Sequence, residues 1–122
     1  MTGRRVIIVG LFSAKDASYA VDMRELETHL RDAGNVVVAT VVQRRGVSRA
    51  RGPGGAQRMD IPMDPATYIG RGKADEVAEL RCRSQADCVV VRGSPSRSQL
   101  DRLQAIIGCE VVSSGAIESR RQ

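Results

Sequence analysis

Residues 6–11 read Val-Ile-Ile-Val-Gly-Leu and are closed by Phe12, a continuous apolar run that suits a strand covered on both faces. Beyond a short polar stretch, Tyr19, Met23, Leu26, Leu30 and Ala33 recur at steps of four, three, four and three. That spacing lays them on one face of a helix. Asp16, Ser18 and Asp22 are candidate caps for its start, and Gly34 fits the left-handed position that ends a helix. A second buried strand, rich in Val, spans 35–42. Strand, helix and strand in this order form a β-α-β unit whose crossover is right-handed, so the two strands run parallel.

Working outward, residues 43–63 break this pattern with Arg44, Arg45, Arg49, Arg51, Arg58 and a Gly-Pro-Gly-Gly run at 52–55. A segment of that length without periodicity reads as a functional or disordered loop. Asp64-Pro65 reads as a turn and 67–69 as a short extended piece. Gly70-Arg71-Gly72 opens a second helix over 73–84, and 88–92 is a third apolar strand. Ser94 and Ser96 are N-cap candidates for a third helix with Leu100, Leu103 and Ile107 on its core face; Gly108 stops it. A short fourth strand follows at 110–112. The expectation is an α/β fold: a small parallel sheet of about four strands flanked by helices. It forms one domain over 1–115, with a basic loop at 44–63 and a tail at 116–122.

The chain has 122 residues, no apolar run long enough to cross a bilayer, and no signal-peptide cleavage pattern, which implies a cytoplasmic protein without membrane partners. Nineteen basic residues against fourteen acidic give a net charge of +5. All but two of the basic residues are Arg, whose planar fork suits phosphate. With only Phe12, Tyr19 and Tyr68 as aromatics, a base-stacking platform for single strands is not expected. Cys82, Cys88 and Cys109 form no C-x-x-C pair and His29 is the lone histidine, so neither a metal site nor a cofactor is expected. The cysteines read as small buried hydrophobes at strand starts, and His29 as a surface helix residue.

Ligands on parallel sheets sit beyond the carboxyl ends of the strands, where strand order reverses. Those ends here are 11–15, 43–45, 92–96 and 113–115. Gly70-Arg71-Gly72-Lys73 is a strand-to-helix turn. Its glycines either make the tight entry to the helix or let backbone amides approach an anion beside Arg71 and Lys73. It is not a G-x-x-x-x-G-K-[ST] phosphate loop, and no N-K-x-D string occurs, so the chain carries no motif for GTP hydrolysis. Ser94-Pro95-Ser96 reads chiefly as a capped turn.

The string Asp64-Pro65-Ala66-Thr67-Tyr68-Ile69-Gly70-Arg71-Gly72-Lys73, followed by a helix, Ala86-Asp87-Cys88-Val89-Val90-Val91 and Ser94-Pro95-Ser96-Arg97-Ser98-Gln99-Leu100, resembles the N-terminal domain of HflX-type GTPases. The resemblance covers about residues 4–112. It implies an α/β domain that, in complete proteins, precedes a helical hairpin and a GTPase domain and associates with the large ribosomal subunit. It also implies nucleotide binding by this part in some members. The chain departs from that pattern at Arg92-Gly93, where an acidic pair is usual, at Ser113-Ser114-Gly115, in the enlarged basic loop, and in lacking the hairpin and GTPase domain. The tail lacks the hydrophobic continuation expected at the domain junction, which favours a natural stand-alone protein.

The functional expectation is a non-catalytic module that contacts ribosomal RNA or another polyanion or nucleotide. Gln43, Arg44, Arg45, Tyr68, Gly70, Arg71, Gly72, Lys73, Ser94 and Ser96 would form the ligand or anion site. Arg44, Arg45, Arg49, Arg51 and Arg58 would touch RNA. The alternative is a diverged paralogue serving as a small enzyme or self-resistance protein in specialised metabolism, its cleft lined also by Ser113 and Ser114. A homodimer is the expected assembly.

Overall fold

The computed structural model describes residues 3–13, 19–45, 68–93 and 95–115. Seven elements follow in order: β1 (Arg5–Ser13), α1 (Tyr19–Asp32), β2 (Val36–Arg45), α2 (Arg71–Ser84), β3 (Cys88–Arg92), α3 (Arg97–Ile107) and β4 (Glu110–Ser113). The strands form one sheet in the order β2-β1-β3-β4, every neighbouring pair parallel. The expected α/β class and strand number are what the structure shows.

Strand order explains where the helices lie. The chain steps from β1 to β2, then turns back past β1 to β3 and continues to β4. With right-handed crossovers, that reversal puts α1 on one face and α2 and α3 on the other. The core divides accordingly. Val6 and Ile8 of β1, with Cys88 and Val90 of β3, pack against Met23, Leu26 and Leu30 of α1. The alternate residues, Ile7, Val9, Val89 and Val91, pack against Ala74 and Val77 of α2 and Leu103 and Ile107 of α3. β1 and β3 are thus covered on both faces, which is why their apolar runs are continuous rather than alternating.

β2 is one of the two edge strands and differs in two ways from its sequence reading. It reaches Arg45, three residues beyond the expected end. Its pairing with β1 also slips by one between Val6 and Ile7, so Val38 is an extra residue that faces no partner. Pairing with the full length of β1 explains the extension: Leu11, Phe12 and Ser13 hold Gln43, Arg44 and Arg45 in register. Helix ends follow expectation at Gly34 and Gly108, both left-handed (φ 96° and 91°). Asp22 is no cap, because it falls within the first turn of α1, and the other two candidates, Asp16 and Ser18, lie outside the described residues. α2 begins at Arg71 rather than Lys73. Tyr68 is not extended: its φ of 74° is left-handed.

Candidate functional site

The strand order reverses between β1 and β3, and the carboxyl ends of these strands open the crevice where α/β sheets take ligands. Three groups of side chains meet there. On the α1 face, Arg92 at the end of β3 reaches Asp22 (Nη2 to Oδ2, 2.9 Å) and lies 5.0 Å above the ring centre of Phe12. Tyr19 meets Phe12 in a tilted ring contact, centroids 5.8 Å apart. Arg92 was not expected at the site. The signal was there, since a basic residue closes a run of four apolar residues in a strand that ends at the crevice.

On the opposite face, the Gln43 side chain accepts a hydrogen bond from the Gly70 amide at 3.0 Å. This bond ties the arginine-bearing end of β2 to the entry of α2. Gly70 caps that helix with no side-chain hydrogen bond, and no acidic residue occupies the first turn. The helix start therefore keeps its partial positive charge uncompensated. Neither glycine is dictated by the turn. Gly70 sits at φ −63°, ψ 151°, which any residue adopts, and a Cβ on Gly72 would meet nothing within 4 Å. Arg71 pairs with Asp75 at 3.7 Å and Lys73 with Glu76 at 3.1 Å.

Tyr68 packs on the side of the core that faces α2 and α3. Its hydroxyl lies over Gly93, which has φ 118°; a Cβ there would come within 2.6 Å of that oxygen. The Gly93 amide in turn donates to the buried Ser114 hydroxyl at 3.0 Å. A left-handed tyrosine pressed against a left-handed glycine is a constrained pair of the kind that clusters at binding sites. Gly93 replaces an acidic residue of the resembled pattern, and its missing side chain is what admits the Tyr68 hydroxyl.

Ser96 serves the fold. Its hydroxyl accepts from the Gln99 amide at 3.2 Å while its own amide donates to the Gln99 side chain at 2.7 Å, a complete capping box. The capping box accounts for its amide and for its hydroxyl as an acceptor, and the hydroxyl also lies 3.4 Å from Ser98 Oγ. Among the cysteines, burial pushes the Cys88 thiol up to about 12. Cys109 is raised by burial against the pull of Arg81. Cys82 corrects the expectation of burial: it is exposed on α2. His29 is half-buried on α1. No cluster of three potential metal ligands exists among the described residues. No helix among them is long and apolar enough to cross a membrane.

Residues 55–115, half of the chain, match the family model for the GTP-binding GTPase N-terminal domain. The chain belongs to this family. A relative named GTPase HflX, from Alkalihalophilus pseudofirmus, is 28% identical over 108 residues. That alignment takes in 88% of this chain but 22% of the relative, so the chain spans about a fifth of that protein's length. The HflX N-terminal match runs through α2, β3, α3 and β4, and so includes Tyr68, Gly70, Gly93 and Ser114.

Of the residues expected at the site, the structure brings Gln43, Tyr68, Gly70, Arg71, Gly72 and Lys73 to the carboxyl edge of this HflX-type sheet. Arg44 and Arg45 have their backbone in β2; their side chains lie outside what is described, as do Arg49, Arg51, Arg58 and Ser94.

Proposed function

We propose that this chain is an HflX N-terminal-type binding module that contacts ribosomal RNA, or a polyanion of like chemistry, through the carboxyl edge of its sheet. One observation carries the reading. The Gln43–Gly70 hydrogen bond gathers the basic end of β2 and the uncapped, acid-free start of α2 into one place. The cations there are available. Arg71 and Asp75 are 68% and 64% exposed, and a pair so open to water contributes little, so a phosphate displaces Asp75 at small cost. A Cβ on Gly72 would meet nothing within 4 Å, so the first turn of α2 is open there to an anion approaching its amides. The chain's net charge of +5 supplies the long-range attraction. GTP hydrolysis is no part of this role, since the chain carries no phosphate-loop motif.

The test is binding of the full chain to a structured ribosomal RNA fragment across a salt series. Affinity is expected to fall steeply as salt rises, and Arg71→Ala is expected to reduce the slope of log affinity against log salt by about one. Binding that ignores salt, or no binding at low salt, overturns the reading.

The Tyr68–Gly93–Ser114 contact favours a second reading, a small-ligand cleft at the same edge. In that case a melting shift with nucleotides or small metabolites replaces the RNA interaction, and Tyr68→Ala abolishes the shift.

A further inference from the structure

A line of contacts crosses the carboxyl edge of the sheet from one edge strand to the other. It starts on β2, where the Gln43 side chain accepts from the Gly70 amide at 3.0 Å. Ile69, the preceding residue, is buried in the core shared by the sheet, α2 and α3. Tyr68 comes before it, with its left-handed φ of 74° and its hydroxyl over Gly93. Gly93 follows β3, and its amide donates to Ser114 Oγ at 3.0 Å. Ser114 follows β4 and is buried. The entry to α2 is therefore pinned at three successive residues: to the end of β3, to the core and to β2.

The pin at Tyr68 is the unusual one. Its backbone conformation is one that L residues rarely adopt, and such a conformation persists only where the surroundings over-determine it. At Gly93 the φ of 118° already favours glycine, and the contact adds a second demand. A Cβ there would lie 2.6 Å from Tyr68 Oη and 3.5 Å from Cζ, and the three atoms nearest to it all belong to Tyr68. The oxygen ends a rigid ring, so relief requires the ring or the backbone to move. Gly108 differs: its φ is 91°, yet the nearest atom to a Cβ there is 3.9 Å away.

We propose that Tyr68 and Gly93 are a positioning pair: the hydroxyl, seated in the space that Gly93 leaves empty, fixes the Gly70 turn and with it the first turn of α2. Seating requires both partners, a ring at 68 and no side chain at 93. With the hydroxyl displaced, residues 68–70 lose their tie to β3, and the Gly70 amide parts more often from Gln43. Ser114 acts one step further back by holding the Gly93 amide. The consequence for binding rests on the polyanion reading above. A loose entry to α2 presents its amides and Arg71 in many arrangements, and a bound phosphate has to select among them at a cost in affinity.

Hydrogen exchange of the Gly70 amide, followed by NMR on the full chain, reads the pair directly. Tyr68→Ala and Gly93→Ala are each expected to speed that exchange about tenfold. The double variant is expected to match Tyr68→Ala, because with the ring gone a Cβ at 93 has room. Gly108→Ala, which adds backbone strain away from this edge, is expected to leave the Gly70 rate unchanged. A rate unmoved by Tyr68→Ala, effects that multiply in the double variant, or an equal rise in Gly108→Ala overturns the proposal. Tyr68→Ala decides the matter alone where Gly93→Ala does not fold. In the binding arm, Tyr68→Ala is expected to weaken low-salt affinity for the ribosomal RNA fragment about tenfold while keeping the salt slope, since no cation is removed. Equal affinity of variant and parent overturns the positioning role in binding. A parent that binds no RNA overturns the polyanion reading instead, and the exchange rates still decide the pair.

Discussion

At the scale of single residues, burial decides which groups of this chain can change state. Cys88 has none of its surface exposed, between β1 and β4 and against α1, and the low-polarity surroundings hold its thiol neutral. In the unfolded chain it ionises at its ordinary value of 9.0; in the fold the value is about 12. Between these values the unfolded chain has given up a proton that the folded chain keeps. Stability is therefore intact below pH 9 and lost as pH rises toward 12, by up to about 1.4 kcal/mol per pH unit. Cys109, also raised by burial, adds to the loss in the same direction. Urea unfolding followed from pH 8 to 11 is expected to show the decline. Cys88→Ala is expected to start lower, because it leaves a cavity, and to decline less steeply. Equal slopes in the two proteins would show that the Cys88 thiol titrates alike in both states. Arg92 illustrates the opposite solution. It is partly exposed, and its charge is satisfied by Asp22 and by the face of Phe12, so it fastens β3 to α1 at modest energetic cost.

At the scale of elements, the helix that enters from Ser96 depends on its cap. Exposed Arg97 and Asp101 add an ion pair open to water, worth little, so the capping box is the main local support of the first turn of α3. Ser96→Ala is expected to lower stability by about 1 kcal/mol in denaturant unfolding, with the helix register unchanged. Ser96→Asp, which restores an acceptor, is expected to recover most of that loss. The sequence made this helix legible because every signal agreed: a cap, a 3.6-residue apolar period, and a glycine at the end. α1 was legible from its apolar period and Gly34, and β1 and β3 from their continuous apolar runs. Three features were not legible. The slip between β1 and β2 depends on where a partner strand sits, and no property of Val37 or Val38 alone announces it. The extra length of β2 came from pairing with β1 rather than from its own polar end. Tyr68 was read as extended because aromatic and β-branched neighbours suggest a strand, whereas its backbone is set by the contact with Gly93, which lies 25 positions along the chain.

At the scale of the whole molecule, the position of the candidate site was legible from strand and helix alternation alone, because parallel sheets open at their carboxyl ends. Gln43 falls at such an end, whereas Gly70 and Lys73 were expected at the site from the glycine string and the family resemblance. Ser114 was expected only in the alternative cleft, and the partners of Arg92 and Ser114, Asp22 and Gly93, are contacts that no local pattern encodes. The same sheet governs how the molecule should unfold. Its two hydrophobic clusters lie on opposite faces, yet both are built from alternate residues of β1 and β3: Val6 and Ile8 face one way, Ile7 and Val9 the other. Neither cluster can lose its sheet wall without removing the wall of the other. A single cooperative transition is therefore expected, even though α1 touches neither α2 nor α3 within the described core clusters. Leu30, buried under α1, and Leu103, buried under α3, report on the two sides. Leu30→Ala and Leu103→Ala are each expected to cost roughly 2–5 kcal/mol. Each is expected to lower the midpoint seen by backbone circular dichroism and by amide exchange on both faces together. If Leu30→Ala instead released the α1 face at lower denaturant while the amides of α2 and α3 stayed protected, the two faces would be independent units and the shared wall would not couple them.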